Sequence, residues 1–398
     1  MTRPSRLRIV VLGYIVRGPL GGLAWHHLQY VLGLARLGHD VFFLEDSDDY
    51  ASCYDPVRNV MDRDPTYGLD FIDRVFTRLG LGTGWAYYDQ HQNAWLGPAA
   101  RQSLEICRSA DVVLNLSAVN PVRSWLEHVP VRVLVDTDPA FTQIRHLTNA
   151  TARARAAAHT AFFSYGENIQ HEDCAIPRDG FPWQPTRQPM VMDAWAPTPG
   201  PPRGPLSTVM LWDSYPSADF DGVHYGMKAE SFDPYVDLPS HTRERFHLAL
   251  GSSREPRERL AAHGWTILDP RVPTRDPWTY QDFIQRSKAE FSVAKHGYVV
   301  SRSGWFSERS AAYLASGRPV VVQDTGFSCW LDADAGVIPF RHVNEAIAAI
   351  DVLNASYERQ CLAARALAEA YFDSSAVLTQ LLERALAASP TRGLRTAS

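Results

Sequence analysis

The chain has 398 residues, which exceeds one ordinary hydrophobic core and predicts two domains of about 150–200 residues each. Its 39 lysines and arginines are balanced by 44 aspartates and glutamates, so we expect no nucleic-acid partner. Five widely spaced cysteines without a CxxC pair predict reduced thiols and a cytoplasmic location rather than disulfides or structural zinc. The apolar runs are shorter than the roughly 18 residues that a transmembrane helix needs, so we expect no membrane span.

The first half of the chain alternates apolar strands with helices. A strand over Leu7–Gly13, a loop over Tyr14–Gly22, a helix over Leu23–Leu37 and a strand over Val41–Leu44 form a β-loop-α-β unit. Such a unit predicts a doubly wound α/β domain. Residues 50–105 are aromatic-rich, give one helical pattern and are compatible with the lining of a substrate cleft. Further elements are predicted at Phe71–Leu79, Asp111–Leu116, Val131–Val135, Thr151–Ala158 and Thr160–Ser164.

The second half repeats this architecture after a connection that is dense in proline, residues 177–205. Strands are predicted at Thr208–Trp212, His247–Gly251, Trp265–Leu268, Glu290–Ala294 and Val320–Val322, and helices at Glu255–His263, Trp278–Ser287, Ser307–Ser316, Asn344–Leu353, Ser356–Tyr371 and Ser375–Ala388. We therefore predict a first domain over residues 1–185, a second over residues 186–374, a terminal helix over residues 375–389 and a disordered tail over residues 390–398.

The segment of residues 301–327 has the strongest local signals. A Ser303-Gly304 turn precedes the helix, Gly317 stands where a left-handed residue ends a helix, and the buried strand Val320–Val322 follows. Ligands of doubly wound folds bind at the carboxyl ends of strands and at helix N-termini. This segment offers both, and therefore predicts a ligand site.

In architecture the chain resembles the GT-B glycosyltransferases. The glutamate-bearing helix and the sequence ASGRPVVVQDTG, Ala315 to Gly326, are similar to the donor-binding region of the bacterial glycosyl transferases group 1, a retaining, family-four-like group. The resemblance implies two Rossmann-like domains that face each other across a cleft, with the nucleotide sugar on the second domain and a terminal helix that crosses back to the first. The chain departs from the group's Glu-x7-Glu pattern: Gly304 and Ala312 occupy those positions, and Glu308 lies halfway between them.

The candidate donor-binding residues carry charge, hydroxyl groups or exposed backbone. Lysine and arginine can neutralise a diphosphate, a carboxylate can accept hydrogen bonds from ribose hydroxyls, and glycines let the backbone approach a phosphate or a sugar. Surface exposure of the cations and a dipole contact of the glutamate are the structural alternatives. The predicted set is Gly21, Gly22, Lys228, Lys295, Arg302, Ser303, Gly304, Glu308, Thr325 and Gly326.

The first domain supplies the candidate catalytic and acceptor-side residues. The resemblance implies a histidine that faces the cleft in the first turns of the first helix, and we predict His27 in preference to its neighbour His26. If the reaction inverts the anomeric configuration, His27 or Asp138, which follows a strand, is the predicted base. Asp138 and Asp136 form a DxD sequence, which binds a metal–nucleotide complex in the other major glycosyltransferase fold; here it falls in the acceptor domain, and we predict no metal. Glu167 and Asn168 follow the last strand and are predicted on the acceptor side.

Together these residues predict a glycosyltransferase that moves a sugar from a nucleotide diphosphate donor to a small molecule, such as an aromatic or natural product, or to a saccharide. The nucleotide sugar is a co-substrate, and no cofactor is expected. A homo-oligomer is possible. Two alternatives remain open at this point: a sugar-nucleotide epimerase of the same fold, and an inactive protein that only binds sugar nucleotides.

Overall fold

The computed structural model of the protein describes residues 6–388, apart from the side chain of residue 255. The predicted tail over residues 390–398 therefore lies outside the described residues. Among residues 6–388, no helix combines the length and the apolar character that crossing a bilayer requires.

The first domain is built on an eight-stranded sheet of order β10-β9-β8-β7-β1-β2-β5-β6, parallel except for the β5–β6 pair. A separate antiparallel hairpin is formed by β3 and β4. The elements are β1 Arg8–Leu12, α1 Gly21–Arg36, β2 Asp40–Asp46, β3 Cys53–Asp55, β4 Val60–Asp62, α2 Thr66–Arg78, β5 Trp85–Asp89, β6 Ala94–Leu96, α3 Ser103–Arg108, β7 Val112–Leu116, β8 Val131–Asp136, α4 Phe141–Thr148, α5 Ala150–Ala157, β9 Ala161–Ser164 and β10 Trp183–Pro185.

The second domain is built on a six-stranded parallel sheet of order β15-β14-β11-β16-β17-β18. Its elements are β11 Leu206–Leu211, β12 Ala218–Phe220, β13 Val223–Tyr225, α6 Lys228–Phe232, β14 Phe246–Gly251, α7 Arg254–Ala262, β15 Thr266–Leu268, α8 Pro277–Gln285, β16 Ala289–Ser292, α9 His296–Val300, α10 Glu308–Ala315, β17 Val320–Gln323, β18 Val337–Phe340, α11 Val343–Ala355, α12 Tyr357–Phe372 and α13 Ser374–Ala388. The two doubly wound sheets confirm the predicted fold class.

Strand order reverses between β1 and β7 in the first sheet and between β11 and β16 in the second. Loops at the carboxyl ends of the two sheets touch: Asp138, after β8, contacts Lys295, after β16, and Asn168, after β9, contacts the turn before α10. The ligand-binding edges of the two domains therefore face each other.

The sequence prediction lacked the short elements α4, β10, β12, β13, α6 and α9 and the strand β18. Two further regions differ from it. Residues 50–105 contain the β3–β4 hairpin and the β5–β6 pair, whose strands of three to five residues are too short for a periodic pattern. The helix α1 begins at Gly21, so Gly21 and Gly22 belong to its first turn rather than to a loop. A tertiary contact explains this start, because the Gly21 N–H donates a hydrogen bond to the Thr274 carbonyl oxygen at 2.6 Å.

The terminal helix α13 contacts α1, β8 and β9 of the first domain. A Cβ atom on Gly33 of α1 would lie 2.5 Å from a Leu378 methyl group, so the absent side chain allows the two helices to pack closely. The Met190 N–H of the connection donates a hydrogen bond to the Phe372 carbonyl oxygen, and the Ser374 N–H donates one to the Met190 carbonyl oxygen. The domain boundaries themselves stay predictions.

The first turn of α1 is pressed against the second domain. A Cβ atom on Gly21 would lie 2.2 Å from the Asp276 carbonyl oxygen, and the Trp25 indole donates a hydrogen bond to the Pro277 carbonyl oxygen at 2.7 Å. The contacting atom at Gly21 is backbone, which cannot rotate away. Gly21 is thus required by interdomain packing.

We expect Gly21→Ala to lower the free energy of unfolding by about 1–3 kcal/mol, the usual range for overpacking. Gly22→Ala is the matched control, because its Cβ atom would lie at 3.2 Å from the Tyr280 ring, which can shift. Chemical denaturation of both variants measures the difference. Equal stability of Gly21→Ala and wild type would contradict the packing role and favour a direct ligand contact.

Candidate functional site

The Arg309 side chain fixes the start of α10 on the second sheet. Its guanidinium donates to the Glu290 carboxylate at 2.6 Å, to the Ser292 hydroxyl at 2.7 Å and to the Val209 carbonyl oxygen at 2.9 Å. These partners lie on β16 and β11, the strands between which the order reverses. Arg309 is 8% exposed. The helix N-terminus is therefore anchored at the point where ligands of doubly wound folds bind.

An interdomain cavity lies beside this anchor. Glu308, the first residue of α10, faces it, and within residues 6–388 its carboxylate makes no hydrogen bond or ion pair that would neutralise it. His26 of α1 and Trp195 of the connection face the same cavity. Their ring atoms, Nε2 and Nε1, are buried without a hydrogen-bond partner among the described residues. Buried polar atoms without partners mark a place where a polar ligand can bind.

The two adjacent histidines of α1 occupy different environments. His27 is fully buried, accepts a hydrogen bond from the Tyr14 N–H at Nε2 and donates from Nδ1 to the Leu23 carbonyl oxygen. Burial holds its pKa well below 6.5. Both ring nitrogens thus support the loop after β1, and this geometry gives no support to the predicted role of His27 as base.

His26 has the features that were expected of His27. Burial lowers the pKa of its imidazole, and the Glu308 carboxylate partly opposes that shift. A neutral ring with an unpartnered Nε2 can accept a proton. A signal that separates the two was available in the sequence: His27 lies three residues after Ala24 and four before Val31, on the apolar face of α1, which favours a packed histidine.

A second cavity lies within the second domain at the carboxyl ends of β16 and β17. Arg309 lines both cavities, and Thr325 lines the second one. The Thr325 hydroxyl donates a hydrogen bond to the Trp305 carbonyl oxygen at 2.5 Å. Ser303 is fully buried and donates to the Tyr298 carbonyl oxygen at 3.2 Å. Both hydroxyl groups therefore hold the turn before α10.

Lys228, at the start of α6, is a cation without a counter-ion. Its ammonium makes no hydrogen bond or ion pair with any residue that the structure describes. Burial, followed by the charges of Arg309 and Lys295, lowers its pKa from 10.5 to about 7, although Glu308 acts in the opposite direction. An anion bound in the cleft would supply the missing charge.

Lys295 is paired across the cleft with Asp138. Its ammonium donates to Asp138 Oδ1 at 2.8 Å, and the hydroxyl groups of Tyr215 and Tyr298 donate to the same carboxylate. Lys295 also donates to the Tyr215 oxygen at 2.7 Å. The structure thus joins a predicted donor cation and a predicted base in one ion pair. The two tyrosines gave no signal in the sequence.

Asn168 acts as a bridge between the domains. Its side-chain amide donates to the carbonyl oxygens of Arg302 and Gly326, at 3.0 Å each, and its backbone N–H donates to the Ser303 carbonyl oxygen at 3.1 Å. A Cβ atom on Gly304 would lie 2.6 Å from Asn168 Cγ. Gly304 and Gly326 both have positive φ, as does Arg302, whose side chain is exposed. These residues form a docked interdomain turn.

The remaining acidic candidates already have partners. Asp136 is 2% exposed and accepts hydrogen bonds from the Ser164 hydroxyl at 2.7 Å and the Gln143 amide at 3.1 Å; burial raises its pKa. Glu167 forms a 2.6 Å ion pair with Arg187. No group of three or more metal-ligating side chains occurs within the described part of the chain. The DxD sequence therefore holds a turn, with Asp136 inward and Asp138 on the cleft.

Solved structures share this fold at low sequence identity. An alpha-glucosyltransferase in complex with UDP-glucose and DNA containing an abasic site matches with a TM-score of 0.60 and 11% identity, covering 96% of this chain and 100% of that chain. AviGT4, a glycosyltransferase involved in avilamycin A biosynthesis, matches with a TM-score of 0.55 and 13% identity, covering 96% and 97%. Anabaena HepE, in complex with UDP and glucose, matches with a TM-score of 0.54 and 11% identity, covering 96% and 100%.

No protein-family model and no curated protein matches the chain. The structural matches span nearly the whole chain and bear out the predicted GT-B architecture of two Rossmann-like domains. Fold and function are separate properties, so activity has to be argued from the site.

Removal of the Lys228 charge should stabilise the protein. The folded-state pKa of about 7 lies below the ordinary value of 10.5, so the charge costs stability in full below pH 7. That cost is relieved between pH 7 and 10.5, where the unfolded chain binds more protons. Lys228→Met should therefore raise the melting temperature most at pH 6 and least near pH 10.

Lys228→Arg is the matched control, since arginine stays charged throughout this range. It should show no such stabilisation at pH 6. A lower melting temperature for Lys228→Met at pH 6 would mean that the lysine is a structural residue.

Proposed function

We propose that the protein is a glycosyltransferase that uses a nucleotide diphosphate sugar as donor and a small molecule or a saccharide as acceptor. One observation carries the proposal: Glu308 faces an interdomain cavity between two doubly wound sheets, and Lys228 lies within electrostatic range of it. Neither side chain has an ion-pair partner among residues 6–388. A sugar nucleotide offers the complementary groups, which are a charged diphosphate and vicinal hydroxyls. The UDP and UDP-glucose complexes of the structural neighbours support this class of ligand.

Lys228 is proposed to bind the donor diphosphate. A charge-assisted contact to a phosphate oxygen would restore the ordinary protonation of the lysine and would stabilise the departing nucleotide during transfer. Lys295 and the exposed Arg302 are further cations at the same edge. If these groups neutralise the diphosphate, the reaction needs no metal ion.

Glu308 is proposed to hold the donor ribose. A carboxylate can accept two hydrogen bonds, and the vicinal ribose hydroxyls supply two donors. The proposed sugar contacts are Gly22, which lines the cavity, and the Thr325–Gly326 backbone.

His26 replaces His27 in this proposal as general base. Its neutral imidazole presents an unpartnered Nε2 to the cavity, and the nearby Glu308 carboxylate would stabilise the imidazolium that forms. The proton of the acceptor hydroxyl would move to Nε2 as that oxygen attacks the anomeric carbon. A net charge of −5 argues against a nucleic-acid acceptor, although one neighbour binds DNA.

A direct test is binding and turnover of nucleotide sugars. In calorimetry with EDTA, we expect uridine diphosphate to bind, and we expect UDP-glucose to lose glucose to an acceptor or slowly to water. Binding that requires manganese or magnesium would contradict the metal-independent site. Failure of every nucleoside diphosphate to bind would contradict the proposed function.

The ribose contact is tested by Glu308→Gln, which keeps the shape and loses the charge. Affinity for uridine diphosphate should fall by roughly 1–2 kcal/mol, within the range for hydrogen bonds to charged groups. A nucleotide that lacks the 2′- and 3′-hydroxyls should bind both proteins almost equally. The same loss with that analogue would show that Glu308 does not contact the ribose.

The two histidines are separated by parallel glutamine variants. His26→Gln keeps a hydrogen-bond acceptor but takes no proton, so kcat should fall by about 100-fold or more with little change in melting temperature. His27→Gln should mainly lower the melting temperature, because its ring supports the loop after β1. Full activity of His26→Gln would assign the residue a binding role only.

A further inference from the structure

The Asp138 carboxylate belongs to the first domain, but the groups that bind its two oxygens come from the second. The Lys295 ammonium and the Tyr298 hydroxyl donate to Oδ1, and the Tyr215 hydroxyl donates to Oδ2. The side chains of Lys295 and Asp138 are 12% and 22% exposed, respectively. The second domain thus presents three converging donors to a single anionic group.

Aromatic rings surround the ammonium of this cluster. Lys295 Nζ lies 4.3 Å from the ring centre of Tyr215, 5.0 Å from that of Phe141 and 5.3 Å from that of Tyr298. Cation–π attraction holds the ammonium in place, and the rings exclude water from the ion pair. In such surroundings a charged hydrogen bond is stronger than at an open surface.

Two of the three donors are held together without help from Asp138. Lys295 donates to the Tyr215 oxygen at 2.7 Å, which links two of them within the second domain. Asp138 is positioned by its own domain, because its backbone N–H donates to Asp136 Oδ1 at 2.9 Å. The donors therefore form a site of the second domain, and Asp138 is an occupant that enters from the other side of the cleft.

Asp138 is the one carboxylate that pairs with a lysine of this site among residues 6–388. Lys228 lies within electrostatic range of Lys295, and it makes no ion pair, although Glu308 and Glu290 act on it from a distance. A diphosphate carries enough negative charge for both lysines, and its oxygens can accept hydrogen bonds from the two tyrosine hydroxyls. A phosphate group thus suits the cluster better than a second carboxylate would.

We propose that Tyr215, Lys295 and Tyr298 form a phosphate site, and that Asp138 occupies it as an intramolecular competitor which the diphosphate displaces. The identity of the ligand as a nucleotide donor rests on the proposed function; the competition rests on the contacts above. Displacement breaks an interdomain contact, so binding of the donor is coupled to release of the Asp138 turn. Only molecules in which Asp138 has left the site can bind the ligand. The apparent affinity for the ligand is therefore the intrinsic affinity multiplied by the fraction of molecules with a free site.

The test measures affinities for inorganic pyrophosphate and for uridine diphosphate by calorimetry. Asp138→Asn removes the competing charge, and both affinities should rise by about tenfold or more if the occupied form exceeds roughly 90%. Asp138→Ala repeats the measurement without an amide. Asp70→Asn, which removes an exposed acid on α2 of the same domain, should leave both affinities unchanged.

Lys295→Ala supplies the second arm of the experiment. It should weaken pyrophosphate and uridine diphosphate alike, and in that background Asp138→Asn should give no gain, because competitor and ligand share the lost group. If Asp138→Asn raises both affinities as much in the Lys295→Ala background as in wild type, the proposal is overturned. The Asp138 charge would then repel the anions from a distance rather than compete for the site.

The outcomes separate this inference from the proposed function. If wild type binds uridine diphosphate and Asp138→Asn binds it no more tightly, the competition is refuted and the proposed function stands. If Asp138→Asn gains affinity for pyrophosphate while no nucleoside diphosphate binds, the phosphate site stands and the proposed function fails. If no variant binds either anion, both are refuted.

Discussion

The site depends on the buried ion pair between Arg309 and Glu290. Glu290 is 0% exposed, and the guanidinium joins α10 to the two central strands of the second sheet. Loss of one partner of such a pair leaves an uncompensated buried charge and typically costs about 3–5 kcal/mol. Because Arg309 is fixed, its neighbour Glu308 has a defined position at the cavity. Glu308 and Gly22 line the first cavity with Arg309, and Thr325 lines the second with it.

Compensation of charge distinguishes structural from functional residues in the cleft. Three cations have a carboxylate oxygen at most 2.8 Å from a side-chain nitrogen: Arg309, Lys295 and Arg187. By contrast, Lys228 and Glu308 lack such a partner in the part of the chain that the structure describes. Uncompensated buried charges reduce stability, so a protein retains them chiefly where a ligand completes them. Lys295 is paired with Asp138 in this structure, and under the displacement proposed above it would also bind the ligand.

Local signals made much of the fold predictable. In α10–β17, Gly317 adopts the expected positive φ, and the helix and strand end within one residue of their predicted limits. In the first domain, the apolar strands β1, β2, β7, β8 and β9 were predicted from their composition. The short strands between residues 50 and 105 were missed because segments of three to five residues carry little periodic information.

The site was less predictable because its contacts are non-local. Asp138 and Lys295 are 157 residues apart in sequence, and no local pattern indicates that they meet. Asn168 was placed on the acceptor side because it follows a strand, but its amide bonds to the second domain. Gly21 was predicted to bind the donor, yet its lack of a side chain is required by the backbone of Asp276. In each case the residue type indicated a role at the cleft, but the sequence did not show which residue it contacts.

The central claim is that the donor diphosphate supplies the counter-ion that Lys228 lacks. The most direct measurement is an NMR titration of the Lys228 side chain, assigned by comparison with Lys228→Arg, without and with saturating uridine diphosphate. The account predicts a pKa of about 7 in the free protein and a rise of about 1–3 units in the complex, as expected for an opposite charge placed beside the ammonium. A pKa that is unchanged by the bound nucleotide would contradict it.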